Sequence, residues 1–165
     1  MEQAKNAVQL HTIPPVWDGN SRVLILGSFP SVASRAAEFY YAHPQNRFWR
    51  VLAGVFGTDI PETVEQKRHL LLSHGLALWD VIASCRITGS ADSSVTDVIP
   101  NDLAPILSQA PIDRVLLNGQ TAAKYYRRFD LPRGFPEPVI LPSTSPANAA
   151  WSAPRLTAAW QRAIL

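Results

Sequence analysis

Short apolar runs alternate with helical patterns along this chain. The runs over 23–26, 76–82, 114–118 and 139–141 are typical of buried strands, because each is brief, apolar and bounded by turn residues. Elsewhere apolar residues recur at helical spacing, which predicts helices over 46–56, 62–74, 102–109, 120–129 and 154–165. Strands that alternate with helices indicate an α/β fold with a mostly parallel four-stranded sheet and helices on both faces.

Two segments lack a clear period. Residues 1–21 are poorly patterned and contain the breakers Pro14-Pro15 and Asp18-Gly19-Asn20. Residues 83–100 form a long polar stretch, which we predict to be a loop, with Asn101 and Asp102 capping the helix that follows. No internal repeat or second domain is visible, so residues 1–165 are predicted to be a single domain.

The predicted strands are followed by turns that begin after residues 26, 118 and 141. In a parallel sheet these turns lie together at the carboxyl edge, where α/β folds bind their ligands. The first of them, residues 27–31, precedes an aromatic run at 39–41 and a polar segment at 42–47. We therefore expect a functional site at this edge of the sheet.

Composition narrows the possibilities without choosing a function. The chain has 165 residues, 47% of them apolar and 17% charged, and a formal net charge of +2, so its overall field is weak. Arginine far outnumbers lysine; this favours phosphate contacts, but high-GC coding produces the same bias. There is one cysteine, Cys85, no apolar run long enough to span a membrane, and no signal-peptide pattern in residues 1–11. These features favour a cytoplasmic protein.

Several residues near the expected site have both a functional and a structural interpretation. The Asn46 amide can position a water molecule, although its spacing alone favours a helix N-cap. His43 can act as a general base, or as a donor that braces the turn beside Pro44, and the brace is favoured. The aromatic residues at 39–41 can stack on a base, but at least one of them is expected in the core.

Other candidates give weaker signals. Ser143 and Ser145 lie in a Pro-rich turn that can hold phosphate or be a plain turn. The acids Asp80, Asp92 and Asp97 lie nearest the predicted edge, but no spacing suggests a metal site, and His69 and His74 are not on one helical face. No nucleophile elbow, P-loop or dinucleotide-binding motif is present. The residues alone therefore predict a site but no reaction.

Three motifs together resemble the uracil-DNA glycosylase superfamily. They are GSFPS at 27–31, FYYAHPQNRFW at 39–49 and LPSTSPAN at 141–148. The resemblance is closest to the hypoxanthine-DNA glycosylase branch. It implies a three-layer α/β/α domain that flips a deaminated base out of DNA and hydrolyses its N-glycosidic bond. Hypoxanthine is the expected base, with uracil and xanthine as others. The implied protein acts on DNA as a monomer, away from membranes, without a metal or cofactor.

The same resemblance implies roles for individual residues. In related branches, the position of Phe29 is occupied by an Asp or Asn that positions the attacking water. Phe29 cannot do so. In the branch that this chain resembles, that role falls to Asn46. Tyr41 corresponds to the aromatic residue that stacks on the flipped base, and the turn at 143–148 to the loop that contacts phosphates and wedges into the duplex. The predicted site comprises the catalytic candidates Asn46 and His43, the base-binding candidates Gly27, Ser28, Phe29, Pro30, Tyr41 and Asn118, and the DNA-binding candidates Ser31, Ser143, Thr144, Ser145, Pro146, Ala147 and Asn148.

The chemistry is physically consistent with these residues. Enzymes that act on a base in a duplex must extrude it, and a mispaired base is the easiest to extrude. The glycosidic bond then breaks through an oxocarbenium-like state, so the protein must orient a water and stabilise the departing base. The backbone N–H groups of Ser28 and Phe29 are candidate donors to that base.

Two other functions are considered. Because of Phe29, the chain can be a nucleic-acid-binding domain that kept the fold and lost catalysis. It can also be an esterase-like hydrolase that uses Ser143 or Ser145. Release of a base from duplex DNA that contains deoxyinosine distinguishes the glycosylase from both.

Overall fold

The computed structural model describes residues 7–165, in which strands and helices alternate for most of the chain. The strands are β1 (Val8–Leu10), β2 (Val23–Gly27), β3 (Leu76–Asp80), β4 (Ile82–Arg86), β5 (Thr96–Pro100), β6 (Arg114–Asn118) and β7 (Pro138–Leu141). The helices are α1 (Val32–Ala37), α2 (Phe48–Phe56), α3 (Val64–Ser73), α4 (Ala104–Gln109), α5 (Gln120–Phe129) and α6 (Ala153–Ile164).

The predicted four-stranded sheet is confirmed. Its order is β3-β2-β6-β7, and every neighbouring pair is parallel. The register pairs Gly27 with Asp80 and Asn118 with Leu141, so the carboxyl ends of all four strands lie at one edge. The three turns predicted to share this edge therefore do so.

Helices cover both faces of this sheet, because alternate residues of each buried strand point to opposite sides. From β2, Val23 and Ile25 face a core that contains large side chains of α2, α3 and α6. Leu24 and Leu26 face a second core, which includes the buried residues of α5. The arrangement is the three-layer α/β/α architecture that the resemblance implies.

The five predicted helices are confirmed, with ends that differ from the prediction by no more than two residues. Helix α2 begins at Phe48 rather than at Asn46, and ends at Gly57, whose φ of +65° suits glycine. Helix α4 begins at Ala104, and Asp102 accepts its backbone N–H at 3.1 Å. Asn101 was wrongly predicted as a cap, since its buried amide instead donates to the carbonyl oxygens of Asp80 and Ile82.

A second sheet was missed by sequence reasoning. It is antiparallel with the order β1-β4-β5, so 83–100 is not one loop and 1–21 is not merely a lead-in. Its strands mix polar with apolar side chains and are partly exposed, and register shifts interrupt the β4–β5 pairing, which hides the period of two. The strand predicted over 76–82 is divided at Val81, where the chain passes from the first sheet to the second.

Helix α1 was also missed. It has only six residues, which is too short to show a helical period. Ser31 caps it by accepting the backbone N–H of Ser34 at 3.1 Å, and Glu38 ends it in the left-handed conformation. The helix returns the chain toward the sheet edge directly after the turn at 27–31.

Asp130 gives this fold a specific pH dependence. The residue follows α5 and is 1% exposed, and its Oδ2 has no hydrogen-bond partner in the part of the chain that the structure describes. Burial raises the pKa of Asp130 to about 7, although the Arg133 charge opposes this. The folded state therefore binds a proton more tightly than the unfolded chain, so this group weakens stability as pH rises from about 4 to about 7.

We expect Asp130→Asn to raise the free energy of unfolding by about 1–3 kcal/mol at pH 8, because it removes a buried, incompletely bonded carboxylate. The gain should shrink as pH falls below about 7, because Asp130 then takes up a proton in the folded protein, and it should be small near pH 4, where the unfolded chain begins to take one up as well. Urea unfolding at pH 8 and pH 4.5 measures this difference, with the exposed Asp59→Asn as the matched control. A variant less stable than the parent at pH 8 would contradict the prediction.

Candidate active site

A cavity of about 590 Å³ opens at the carboxyl edge of the parallel sheet. It is enclosed by the turn after β2, the segment between α1 and α2, the loop before β5, the ends of β3 and β6, and the turn after β7. The cavity is lined by all but one of the predicted site residues, namely 27–31, Tyr41, His43, Asn46, Asn118 and 143–147. Asn148 lines an adjoining cavity instead. The structure thus brings the predicted residues together, while their roles stay predictions.

Asn46 has one side of its amide bonded and the other side free. Its Oδ1 accepts the backbone N–H of Phe48 and the hydroxyl of Thr144, both at 2.9 Å. Because the Phe48 N–H needs an acceptor, these contacts fix which amide atom is the oxygen. The Nδ2 has no protein acceptor among residues 7–165 and belongs to a side chain that lines the cavity. Asn46 therefore satisfies the first turn of α2 and still presents a donor at the site.

A hydrogen-bond network fixes Asn46 from behind. Thr144 donates to Asn46 and in turn accepts from the Nδ2 of Asn118 at 3.0 Å. The Thr144 backbone N–H donates to Asn118 Oδ1 at 3.0 Å, and the second Nδ2 hydrogen of Asn118 reaches the Tyr41 hydroxyl at 3.1 Å. Both amide hydrogens of Asn118 are thus used within the protein. Asn118 was predicted to bind the base, but in this arrangement it first holds Thr144 and Tyr41.

The three aromatic residues divide as expected between core and site. Phe39 and Tyr40 are buried, which confirms that at least one of them lies in the core. Tyr41 lines the cavity and has a positive φ of 53°. Its ring stacks on Phe48 with centroids 4.1 Å apart, so one face is covered. Burial, with the nearby Asp80 charge, holds the pKa of Tyr41 far above its usual value, so its hydroxyl keeps its proton.

His43 braces its turn as an acceptor. Its Nδ1 accepts the backbone N–H of Gln45 at 3.1 Å, and its carbonyl oxygen accepts that of Asn46 at 3.0 Å. The structural interpretation is correct except that the ring accepts where a donor was expected. His43 also lines the cavity, which is where a general base would act. Its catalytic role stays a prediction.

The turn after β2 supplies unused backbone donors. Within the described chain, the N–H groups of Ser28 and Phe29 have no protein acceptor, although the Ser28 carbonyl accepts from Ile82. The Phe29 side chain is buried, and its ring has no polar atom that could position a water. The Ser28 hydroxyl donates to Asp92 at 3.2 Å. Desolvation in the cleft raises the pKa of Asp92, and the Ser28 bond opposes that shift.

Arg47 organises the turn at 143–148, a role that sequence reasoning missed. Its guanidinium donates to the carbonyl oxygens of Ser145 and Asn148 at 3.0 Å and to that of Trp151. Its backbone N–H also donates to the Thr144 carbonyl at 3.1 Å. These bonds tie the segment before α2 to the turn after β7, almost one hundred residues later. Arg47 is therefore a positioning residue: its Nη1 and Nη2 bond to the turn, while its buried Nε has no hydrogen-bond partner among the described residues.

Comparison with known proteins decides which family this arrangement represents. Residues 14–164 match the sequence model of the Uracil DNA glycosylase superfamily. A hypoxanthine DNA glycosylase of Methanosarcina acetivorans is 36% identical over 142 residues, which cover 84% of this chain and 88% of that protein. The chain belongs to the uracil DNA glycosylase superfamily.

Further relatives agree with this membership. A hypoxanthine DNA glycosylase of Methanosarcina barkeri is 36% identical over 114 residues, covering 68% of this chain and 72% of that protein. A solution NMR structure of a candidate uracil DNA glycosylase from Methanosarcina acetivorans superimposes with a TM-score of 0.81 at 31% identity. That superposition covers 96% of this chain and 97% of the other. The resemblance predicted from the three motifs is confirmed.

One buried pair at this superfamily site was not predicted. His11 Nε2 lies 2.8 Å from Asp80 Oδ2, and the two side chains are 1% and 5% exposed. Asp80 ends β3 and lines the cavity, whereas His11 comes from the segment that follows β1. Sequence patterns gave no signal for His11, because β1 is short and its partner strand was not predicted. Asp80 was noted only as an acid near the edge.

The described residues show neither a metal cluster nor a membrane segment. Between residues 7 and 165, no group of three or more His, Cys, Asp and Glu side chains is placed to hold a metal ion. Over the same range, no helix is both long and apolar enough to cross a membrane.

Ser145 offers a test of the DNA-binding turn. Its Oγ accepts the backbone N–H of Ala147 at 3.1 Å, which leaves the hydroxyl hydrogen available for a phosphate. Ser145→Asp keeps an acceptor for Ala147 but places a negative charge at the proposed contact. We expect affinity for duplex DNA to fall about tenfold, equally with and without deoxyinosine, because phosphate contacts are independent of sequence.

Fluorescence anisotropy with both duplexes at two salt concentrations measures this effect. Ser108→Asp, an exposed serine on α4, is the matched control for the added charge. Unchanged affinity of Ser145→Asp would contradict the phosphate-contacting role of the turn.

Proposed function

We propose that this chain is a monofunctional DNA glycosylase that hydrolyses the N-glycosidic bond of a deaminated base, hypoxanthine most of all. The main support is the cavity at the sheet edge, which Tyr41 lines together with Asn46, Ser28 and Phe29, three residues whose N–H donors have no protein acceptor in the described chain. Its volume of about 590 Å³ falls within the usual range of small-molecule pockets. The two Methanosarcina relatives are named as hypoxanthine DNA glycosylases, which supports the choice of base.

The reaction begins with extrusion of the damaged nucleotide from the duplex. In this proposal, the base enters the cavity and stacks on the face of Tyr41 that Phe48 leaves uncovered. The network from Asn118 to Tyr41 holds that ring in place before the base arrives. A preformed surface lowers the loss of side-chain freedom on binding.

Bond cleavage places negative charge on the departing base. The N–H groups of Ser28 and Phe29 have no other acceptor in the described chain, so they are available to bond to a base oxygen or nitrogen as that charge develops. Because the turn at 27–31 is anchored to β2, these donors need little rearrangement.

Asn46 orients the water in this proposal. Its Oδ1 is already used by Phe48 and Thr144, so the free Nδ2 is the group that donates to the water oxygen. An amide cannot remove a proton at neutral pH. It suffices in an oxocarbenium-like mechanism, because the bond to the base breaks before the water oxygen bonds to C1′, and the proton that the water then loses goes to the departing base anion or to solvent. His43 is the second candidate for a catalytic group at the cavity.

The remaining features of the proposal concern partners and location. DNA that contains a deaminated base is the partner, contacted by Ser31 and by the turn at 143–148. We infer a monomer that needs no metal ion or cofactor and acts in the cytoplasm. In the described chain, the hydroxyls of Ser143 and Ser145 accept backbone N–H groups and bond to no histidine. That arrangement does not favour the esterase alternative.

We expect no lyase activity on the abasic product, because a lyase needs an amine that forms a Schiff base. The chain has three lysines, none of them in a motif, and Lys5 lies outside the described residues. Lys67 and Lys124 lie over the rings of Trp49 and Tyr125 rather than at the cavity, although burial lowers the pKa of Lys67. Borohydride added during base release should trap no protein–DNA adduct. A robust adduct on a denaturing gel would contradict this, and a bifunctional glycosylase provides the positive control.

The proposed function is tested by base release under single-turnover conditions. Duplexes that contain deoxyinosine, deoxyuridine or deoxyxanthosine are incubated with the protein in the presence of a chelator, and the released base is identified by mass spectrometry. We expect fastest release of hypoxanthine and no loss of rate from chelation. Binding to the same duplexes without release of any base would support the non-catalytic alternative.

A further inference from the structure

The buried carboxylate of Asp80 has one oxygen engaged by the protein and one that is not. Oδ2 lies 2.8 Å from His11 Nε2, whereas Oδ1 has no protein donor among the described residues. Oδ1 is only 2.5 Å from the point at which a Cβ on Gly27 would lie, and the Tyr41 hydroxyl is 2.7 Å from that same point. A side chain at position 27 would therefore collide with both Asp80 Oδ1 and the Tyr41 hydroxyl, and glycine avoids this. Because Asp80 lines the cavity, Oδ1 is a fixed acceptor on its floor.

We propose that Asp80, held by His11, accepts the ring N–H that deamination creates on a purine, and thereby selects hypoxanthine over adenine. This inference rests on the glycosylase function proposed above and names the group that distinguishes its substrate. Neither the membership of the superfamily nor the names of the relatives assigns a role to Asp80 or His11.

The chemistry of deamination explains why an acceptor is needed at this place. Adenine presents a bare N1 lone pair beside an amino group, whereas hypoxanthine presents an N1–H beside a carbonyl. A carboxylate oxygen accepts the N1–H of hypoxanthine but repels the N1 lone pair of adenine. Sites built to bond a polar hydrogen reject analogues without it strongly, because their buried groups would then be left unpaired.

Donors that can bind the carbonyl group of hypoxanthine come from the turn that follows Gly27. Gly27, on which a Cβ would lie 2.5 Å from Asp80 Oδ1, is followed directly by Ser28 and Phe29, whose N–H groups have no acceptor in the described chain. An acceptor beside free donors matches a base edge with an N–H beside a C=O. The amino group of adenine would meet these donors with hydrogens of its own.

His11 acts as the positioning residue for this carboxylate. Its imidazole ring is packed among the rings of Phe29, Tyr40 and Trp79, with centroid distances of 6.1–6.3 Å. Its backbone N–H donates to the Ala83 carbonyl at 2.8 Å, which joins it to β4. An imidazole fixed in this way holds Oδ2, so Oδ1 cannot turn away from the cavity.

The experiment compares single-turnover release from deoxyinosine with release from 2′-deoxynebularine, a purine nucleoside that lacks both the N1–H and the carbonyl. In the wild type we expect hypoxanthine release to be at least about 100-fold faster. In Asp80→Asn we expect this ratio to fall by at least about tenfold, because the charge that favours the N–H is lost. The ratio cancels any general loss of activity, as in a double-mutant cycle.

Two controls show that the effect belongs to this site. Asp113→Asn, an exposed carboxylate before β6 at the other edge of the sheet, should leave the ratio unchanged. Affinity for DNA with an abasic site should be retained in Asp80→Asn, because that ligand has no base to contact Asp80. Should Asp80→Asn fail to fold, His11→Gln is measured in the same way, and a several-fold lower ratio is expected.

The outcomes separate this inference from the function on which it rests. A lower ratio with retained abasic-site binding supports the role of Asp80. An unchanged ratio in a folded variant, or a wild-type ratio near one, overturns it while leaving the glycosylase intact. If the wild type releases no base from any duplex, the proposed function fails and this inference fails with it.

Discussion

Asn46→Ala should slow base release from DNA that contains deoxyinosine by about 10²–10⁴-fold, the usual loss when a group that acts on the reacting water is removed. Duplex affinity should change little, because the turn at 143–148 loses only the bond from Thr144 to Asn46 and is still held by Asn118 and Arg47. The variant also loses the acceptor for Phe48 and Thr144, which should lower the free energy of unfolding by about 1–2 kcal/mol. That loss is too small to unfold an ordinary domain.

Asn46→Asp separates the role of the amide oxygen from the role of the amide nitrogen. The carboxylate keeps an acceptor for Phe48 and Thr144, so stability should be close to that of the parent, but it lacks the Nδ2 donor. We therefore expect Asn46→Asp to be nearly as slow as Asn46→Ala. A fast Asn46→Asp would show instead that an oxygen at this position acts on the water.

Single-turnover rates and thermal melting curves, measured together, test both variants. Asn20→Ala, an exposed asparagine before β2, is the matched control and should keep the parental rate. An Asn46→Ala variant that releases hypoxanthine at the parental rate but melts a few degrees lower would show that Asn46 is only structural. His43 would then be the next candidate for the chemistry.

The parallel sheet could be predicted because its strands are buried on both faces. The apolar run at 23–26 has no polar position that would confuse its period, and all of β2 is buried in the structure. The antiparallel sheet gave no such signal, since β1 and β5 are short and largely exposed. Sequence periodicity records burial, so an exposed edge sheet stays invisible to it.

The candidate site was predictable where its residues follow strands and form motifs. Asn46 illustrates the limit, because its spacing favoured a cap and the resemblance favoured catalysis, and one residue can do both, but the sequence does not show which atom serves which role. The structure shows that Oδ1 meets the structural need while Nδ2 remains free for another role. The His11–Asp80 pair joins residues 69 positions apart through a sheet that was not predicted, so no local pattern could reveal it.

Arg47→Ala should weaken DNA binding by at least about tenfold and slow base release as well, although the Nη groups of Arg47 bond to the protein and its Nε is buried. Its guanidinium holds the carbonyl oxygens of Ser145, Asn148 and Trp151, so its loss releases the turn that is proposed to contact phosphate. The loss of several bonds from one charged group should lower the free energy of unfolding by about 2–4 kcal/mol.

Arg47→Lys distinguishes this positioning role from a direct phosphate contact. Lysine keeps the charge, but one ammonium group cannot reproduce the planar, multidentate geometry that reaches three carbonyl oxygens. We therefore expect Arg47→Lys to bind DNA nearly as weakly as Arg47→Ala, with a similarly lowered melting temperature. Anisotropy titrations and melting curves measure both quantities, and Arg162→Ala, exposed at the end of α6, is the matched control. Full affinity in Arg47→Lys would mean that the charge acts on the phosphates, and that the turn at 143–148 keeps its shape without the guanidinium.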